Sequence, residues 1–350
     1  MWQIDNRTPF AVERAWVRDR EGVEVWLVVV KATFDIKPDG STEISSVQPP
    51  VLHVPEYIGE PGKSSIKYEA DLILSKKTTD ILVVGHAYAP VGYTATRLDV
   101  GFKVGPVTKL LRVSGDRHWQ DGRPTEPKPF TKMPLIYERA FGGVDRRSEH
   151  PECDWDWRNP LGTGFAVSKA HLLGVPLPNL EHPQQLIESG SERPEPAGFG
   201  AIGAHWQPRV AFAGTYDEHW LQHRQPLLPE DFDERFFQCA PLDQQTPHFL
   251  SGGEAVALSG LTAEGQVLRF FLPRLHLGFE TRFYDGSLDI HKTKNLHTVI
   301  LEPDFPRVSL VWHSALPCHF RVQKLQRTRV TLKAPLREGA ALQASEAEVV

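Results

Sequence analysis

The chain has 350 residues, 40% hydrophobic and 24% charged, which supplies a sizeable core for one domain or two closely packed ones. A formal net charge of −5 leaves no global basic field to attract nucleic acid or an anionic membrane. The three cysteines, Cys153, Cys239 and Cys318, form no CxxC and are odd in number, so neither a disulfide framework nor a cysteine zinc site is indicated.

The opening MWQIDNRTPF carries charge and a proline where a signal peptide needs an apolar run. The longest apolar stretch, VWLVVV at 25–30, is far short of a membrane span. We expect a protein of a reducing cytoplasm with no stable membrane association. The 27 glycines and 29 prolines exceed the ordinary combined share of about 12% and predict many short strands joined by defined turns.

Residues 1–125 read as β-rich. EVWLVVVKATFDI at 24–36 is dense in β-branched and aromatic residues and ends at the hairpin signal Asp39-Gly40. Further strands are predicted over 80–90, 96–105 and 107–117. No long amphipathic helix separates them, which argues against parallel βαβ units and for antiparallel sheets in a sandwich-like arrangement. Residues 126–250 lose this periodicity. They are too many for one structureless loop, so they predict an ordered, loop-rich region with a few short helices, at 228–241 and 183–189. Residues 251–332 return to strands at 254–262, 266–275, 296–302 and 307–313, and the Ala/Glu-rich segment 333–350 reads as a fraying tail. The fold class expected is therefore mainly β.

Most chemical motifs fail on context. GFGAIG at 198–203 has the letters of a dinucleotide loop, but SERPEPA precedes it and Pro208 soon follows, so a glycine turn leading to a strand is expected. GEPGKSS at 59–65 lacks the first glycine of a phosphate loop and reads as a turn between strands. His219 and His223 can share a helix face, but no HExxH surrounds them, and Asp154 and Asp156 of DWDW lack the rest of a calcium loop. No GxSxG is present, and Ser251 and Cys239 qualify as nucleophiles by residue type alone. Asp231, Asp233 and Glu254 are carboxylates that could serve a β-sandwich glycosidase. We expect no cofactor, no metal and no catalytic residues.

What remains is a concentration of aromatics and arginine in the middle region. Tyr137, Arg139, Phe141, Trp155, Trp157, Phe199, Trp206 and Trp220 are the candidate partner-binding residues, since such side chains dominate interface energetics. Tyr137–Arg139 opens the string YERAFGGVD, where the β-rich frame hands over to the loop-rich region. On a strand, Glu138 and Arg139 would point to opposite faces and find separate partners.

Ordered strings along the chain carry a resemblance. They include KATFDI at 31–36, YEADL at 68–72, VVGHAYAP at 83–90, MPLIYERAFGG at 133–143, RNPLGTGF at 158–165, TYDEHWL at 215–221 and LPEDFDERFFQCAPLDQQ at 228–245. Together they resemble the bacterial family called domain of unknown function 2169. The resemblance implies a non-enzymatic adaptor or chaperone of type VI secretion, which holds a toxic effector in the cytoplasm. Its implied partners are that effector and the spike tip protein or its PAAR-repeat cap. The alternatives are a β-sandwich hydrolase acting on carbohydrate and a structural spike component.

Overall fold

Glu24–Ile36 is the central strand of the computed structural model, which describes residues 2–291 and 295–333. Its valines, with Trp26, Leu27 and Phe34, suit a strand covered on both faces, and every residue from Val25 to Phe34 is buried. It pairs antiparallel with Ala11–Arg18 on one side and Arg307–Pro317 on the other. Arg307–Pro317 pairs in turn with Leu296–Glu302, which runs parallel to Asp80–Val83. A five-stranded antiparallel sheet is ordered Leu180–Glu181, Val107–Ser114, Arg97–Val104, Ala255–Ser259, Leu268–Phe271. A four-stranded sheet joins Gln3–Arg7, Leu325–Leu332, Leu277–Phe283 and Leu288–His291.

The three sheets turn their apolar faces onto one core. Val28, Val30, Phe34, Leu310 and Trp312 meet Val100, Phe102, Leu111 and Leu258, and Phe279, Phe283 and Val330 close the side. Each such side chain contributes about 1.5–3 kcal/mol by leaving water. The protein is mainly β with largely antiparallel sheets, as expected. Strands from 1–125 and 251–332 share the same sheets, so these two stretches interleave rather than stand side by side. The tail expected from 333 onward lies, past Lys333, outside the described residues.

The second face of the central sheet is polar yet buried. Thr33 hydrogen-bonds Ser309 at 2.8 Å, Lys31 pairs with Asp71 at 2.9 Å, and the His297 and His313 rings lie 4.0 Å apart. The segment from Val51 to Leu72 covers it, packing on Leu27, Val29 and Val311.

Residues 126–250 form the expected ordered region of turns, but the helices lie elsewhere. Over 228–241 only a 3-10 turn, Glu234–Phe237, is found, and 183–189 holds no helix. Backbone donors that a helix would use are taken by distant acceptors. Asp233 N–H goes to Phe212 O, Cys239 N–H to Asp80 Oδ2, and Ile187 N–H to Glu181 Oε1. The α-helix among the described residues is Glu218–His223, capped by Asp217, whose carboxylate accepts from Trp220 N–H.

Candidate partner-binding surface

Tyr137–Arg139 is a single 3-10 turn rather than the strand expected, and its three side chains diverge. Tyr137 points into the core, edge-on to Trp206 at 5.4 Å, and burial raises its phenol pKa. Glu138 accepts the backbone N–H of Ser65 at 2.7 Å and also the Ser65 hydroxyl, pinning the 59–65 turn. Arg139 donates to Asp116 and to Asn179, both at 2.9 Å. Separate partners were expected for Glu138 and Arg139, and that is what the turn supplies. Both residues also border a cleft of about 450 Å³ shared with Asp116, His118, Lys128 and Asn179.

Gly142 and Gly143 follow at φ +142° and +94°, and a Cβ at either would sit 2.2 Å from a carbonyl oxygen, that of Asn159 or Gly162. This crowding lets Asn159, fully buried, donate to the carbonyls of Tyr137 and Phe141 at 2.8 and 3.0 Å. The string YERAFGG is thus a junction tied to its surroundings by several internal hydrogen bonds.

The eight candidate partner-binding residues divide by burial. Tyr137, Phe141, Phe199 and Trp206 are core side chains, no more than 3% exposed, and as packed they present no surface to a partner. Their aromatic bulk fills a region that has few long strands to do so. Arg139 is half-exposed. Trp155 is half-buried and Trp157 56% exposed, and their ring centroids lie 4.0 Å apart with the planes tilted by 31°. The alternation of DWDW explains this placement: Asp154 accepts from Ser148 and Asp156 is buried against Arg158, so the intervening tryptophans face out. Trp220 lies on the helix beside Tyr216 at 4.7 Å, with Tyr216 and Leu221 exposed. Tyr216 and Leu221 are exposed apolar positions that the candidate set left out.

The stretches that carry these outer aromatics are tied down by hydrogen bonds. Gln207 N–H donates to Trp157 O. Arg209, 6% exposed, pairs with Glu69 at 2.6 Å, donates to the carbonyls of Ile202 and Phe236, and lies over the Phe236 ring. Asp231 then takes the N–H and hydroxyl of Thr215, next to Tyr216. A rigid support for exposed aromatics lowers the entropy lost on binding.

A buried polar seam joins this region to the frame. Lys76 Nζ lies 2.5 Å from Asp80 and 2.9 Å from Thr298 Oγ1, while Asp80 also accepts from Gln238 and from Cys239 N–H. Burial opposes the charge on Lys76, but Asp80 outweighs it and the ammonium pKa is raised. Burial also pushes the Cys239 thiol far up, which unsuits it as a nucleophile. No motif announced this seam, because its members come from three separate stretches.

The sequence motifs find structural roles. Gly198 of GFGAIG lies against the Tyr137 ring, and Phe199 O accepts from Val83 N–H and Gln244; a 3-10 turn, Arg209–Phe212, follows where a strand was expected. GEPGKSS is the turn between Glu56–Tyr57 and Ile66–Tyr68. His219 and His223 do share a helix face, with ring centroids 4.8 Å apart, but no group of three or more metal-ligating side chains occurs among the described residues. Asp233 is paired with Arg235, and Glu254 accepts from Ser251 N–H. Among the described residues two carboxylate–imidazole pairs are within hydrogen-bond distance, Asp145–His171 at 2.7 Å and Asp304–His86 at 2.6 Å. Among the described residues neither has a serine or cysteine bonded to its second ring nitrogen. No helix among them is long and apolar enough to cross a membrane.

No curated protein and no solved structure matches the chain. The family model described as "Uncharacterized protein conserved in bacteria (DUF2169)" matches residues 21–313, a span that takes in the central strand Glu24–Ile36, the junction at Tyr137–Arg139 and the outer aromatics. With more than half of its length so matched, the chain belongs to this bacterial family.

Proposed function

We propose that the protein is a non-enzymatic adaptor that holds a type VI secretion effector in the cytoplasm and helps pass it to the spike tip protein or its PAAR-repeat cap. The observation that carries this reading is the exposed Trp157 ring backed by the half-buried Trp155 ring, on a stretch tied by hydrogen bonds to its neighbours. An exposed tryptophan with a second ring behind it suits a surface whose role is to be covered. The engagement of Asp231, Asp233 and Glu254 in local structural bonds supports it, whereas a carbohydrate hydrolase needs two carboxylates available to one substrate. Release onto the spike is a difference of affinities between two surfaces, with no bond made or broken.

The test is co-purification of the chain with the effector encoded beside it. A Trp155→Ala/Trp157→Ala double variant is expected to weaken capture at least tenfold with the fold unchanged. An effector that accumulates normally in cells lacking this protein would overturn the reading.

A further inference from the structure

A second cleft lies at the free edge of the five-stranded sheet, away from the outer aromatics. It encloses about 440 Å³ and is lined by Arg97, Arg112, Ser114, Arg117 and Arg123, with Glu181 and Glu188. Strand register explains the gathering. Arg97 is paired with Ser114 and Asp99 with Arg112, while Glu181 sits opposite Arg112 on the other side. Arg112 and Ser114 are two residues apart, so they share the face turned away from the core, where Val113 points instead. The hairpin Trp119–Gln120/Arg123–Pro124 then brings Arg123 over the same face.

Four arginines against two glutamates stand out in a chain of net charge −5. The glutamates are largely occupied or peripheral: Glu181 holds Arg117 at 2.5 Å and the N–H of Ile187 at 2.9 Å, and Glu188 is exposed. Arg112 is held by Asp99. Arg97 and Arg123 are exposed, and among the described residues their guanidinium groups have neither an ion pair nor a hydrogen bond. Deeper in, Arg117 is 6% and Ser114 1% exposed, yet Arg117 Nε and Ser114 Oγ are buried atoms with no hydrogen-bond partner. Two buried, unsatisfied polar groups lining one cleft are costly, at about 1–3 kcal/mol each, unless something meets them.

We propose that this cleft binds the phosphate group of a small phosphorylated molecule. Guanidinium forks and a hydroxyl arranged around one space suit a tetrahedral oxyanion, which accepts from several donors at once, better than a carboxylate with its two oxygens. The volume is that of a small-ligand pocket and exceeds what a lone phosphate fills. The site is independent of the aromatic surface and of the adaptor reading.

Titration calorimetry at constant ionic strength, with glucose 6-phosphate, inorganic phosphate, glucose and acetate as probes, tests it. Saturable binding of glucose 6-phosphate is expected, displaced by inorganic phosphate and not shown by glucose or acetate. Arg97→Gln/Arg123→Gln, whose positions are exposed, should weaken it at least tenfold with thermal unfolding unchanged, and Ser114→Ala should weaken it severalfold. The absence of saturable binding by either phosphate compound, equal binding of acetate, or full affinity in the double arginine variant would each overturn the proposal.

Discussion

The strand frame and the loop-rich region between 126 and 250 solve the same problem by different means. In the frame, backbone donors and acceptors pair across ladders, which frees side chains to be apolar: Val28, Val30, Val308 and Leu310 need no polar partner. In the middle region ladders are short, so buried polar side chains take over the backbone. Asn159 serves Tyr137 and Phe141, Asn179 serves Ser114, Gln244 serves Ile81 and Phe199, and Arg209 serves Ile202 and Phe236. One region is held by area, the other by particular bonds. The lesson is that a region poor in regular structure can be just as specified, provided buried polar side chains meet its backbone groups.

That contrast can be broken most severely at the seam. Asp80→Ala leaves Lys76 as an uncompensated buried charge, and a loss of about 3–5 kcal/mol is expected in denaturant unfolding. An Asp80→Ala protein of unchanged stability would mean the seam does not tie the two regions. Next in size, Asn159→Leu strands the Phe141 carbonyl and leaves that of Tyr137 with Ala140 N–H alone, at about 1–3 kcal/mol, whereas Leu310→Met in the frame should cost less than about 1.5 kcal/mol. Equal losses in the two variants would erase the distinction drawn between bonds and area.

The polar face of the central sheet adds a pH dependence. Burial and the nearby Lys76 push His297 down to about 3, and burial together with His297 and Lys76 also depresses His313. Unfolded histidines titrate near 6.5, so below that pH the unfolded chain binds more protons than the folded one. Stability therefore rises with pH in this window and is lost as pH falls through 6.5. Each histidine contributes up to about 1.4 kcal/mol per pH unit. Denaturation midpoints between pH 6.5 and 4.5 should fall steeply in the natural protein and about half as steeply in His297→Phe, whose ring would keep the stack on Phe249. A slope untouched by that substitution would place the acid sensitivity elsewhere.

The smallest effect on stability belongs to the outer surface. Trp155→Ala/Trp157→Ala should move the unfolding midpoint by no more than about 0.5–1 kcal/mol, while effector capture falls at least tenfold. A large loss of stability would show that the pair is part of the fold and not a surface held ready.

Much of the frame was legible because its cause is local. Alternating or continuous β-branched runs and the Asp39-Gly40 turn are properties of consecutive residues, and Glu24–Ile36 follows from them directly. Gln3–Arg7 and Leu325–Leu332 were not, since their pairing joins opposite ends of the chain. Composition also determined, without any coordinates, that the middle region is ordered and rich in aromatics. Only the tertiary structure decided which aromatics are core and which are surface. Tyr137 and Trp157 look alike in sequence, and what separates them is whether a distant chain segment arrives to cover the ring. The same holds for Glu138 and Arg139, whose partners at Ser65, Asp116 and Asn179 lie far along the chain. It holds too for the arginines of the second cleft, which strand register gathers from Arg97 to Arg123. Local propensity is written in neighbours, whereas burial and charge pairing are written in contacts between residues that no window of sequence contains.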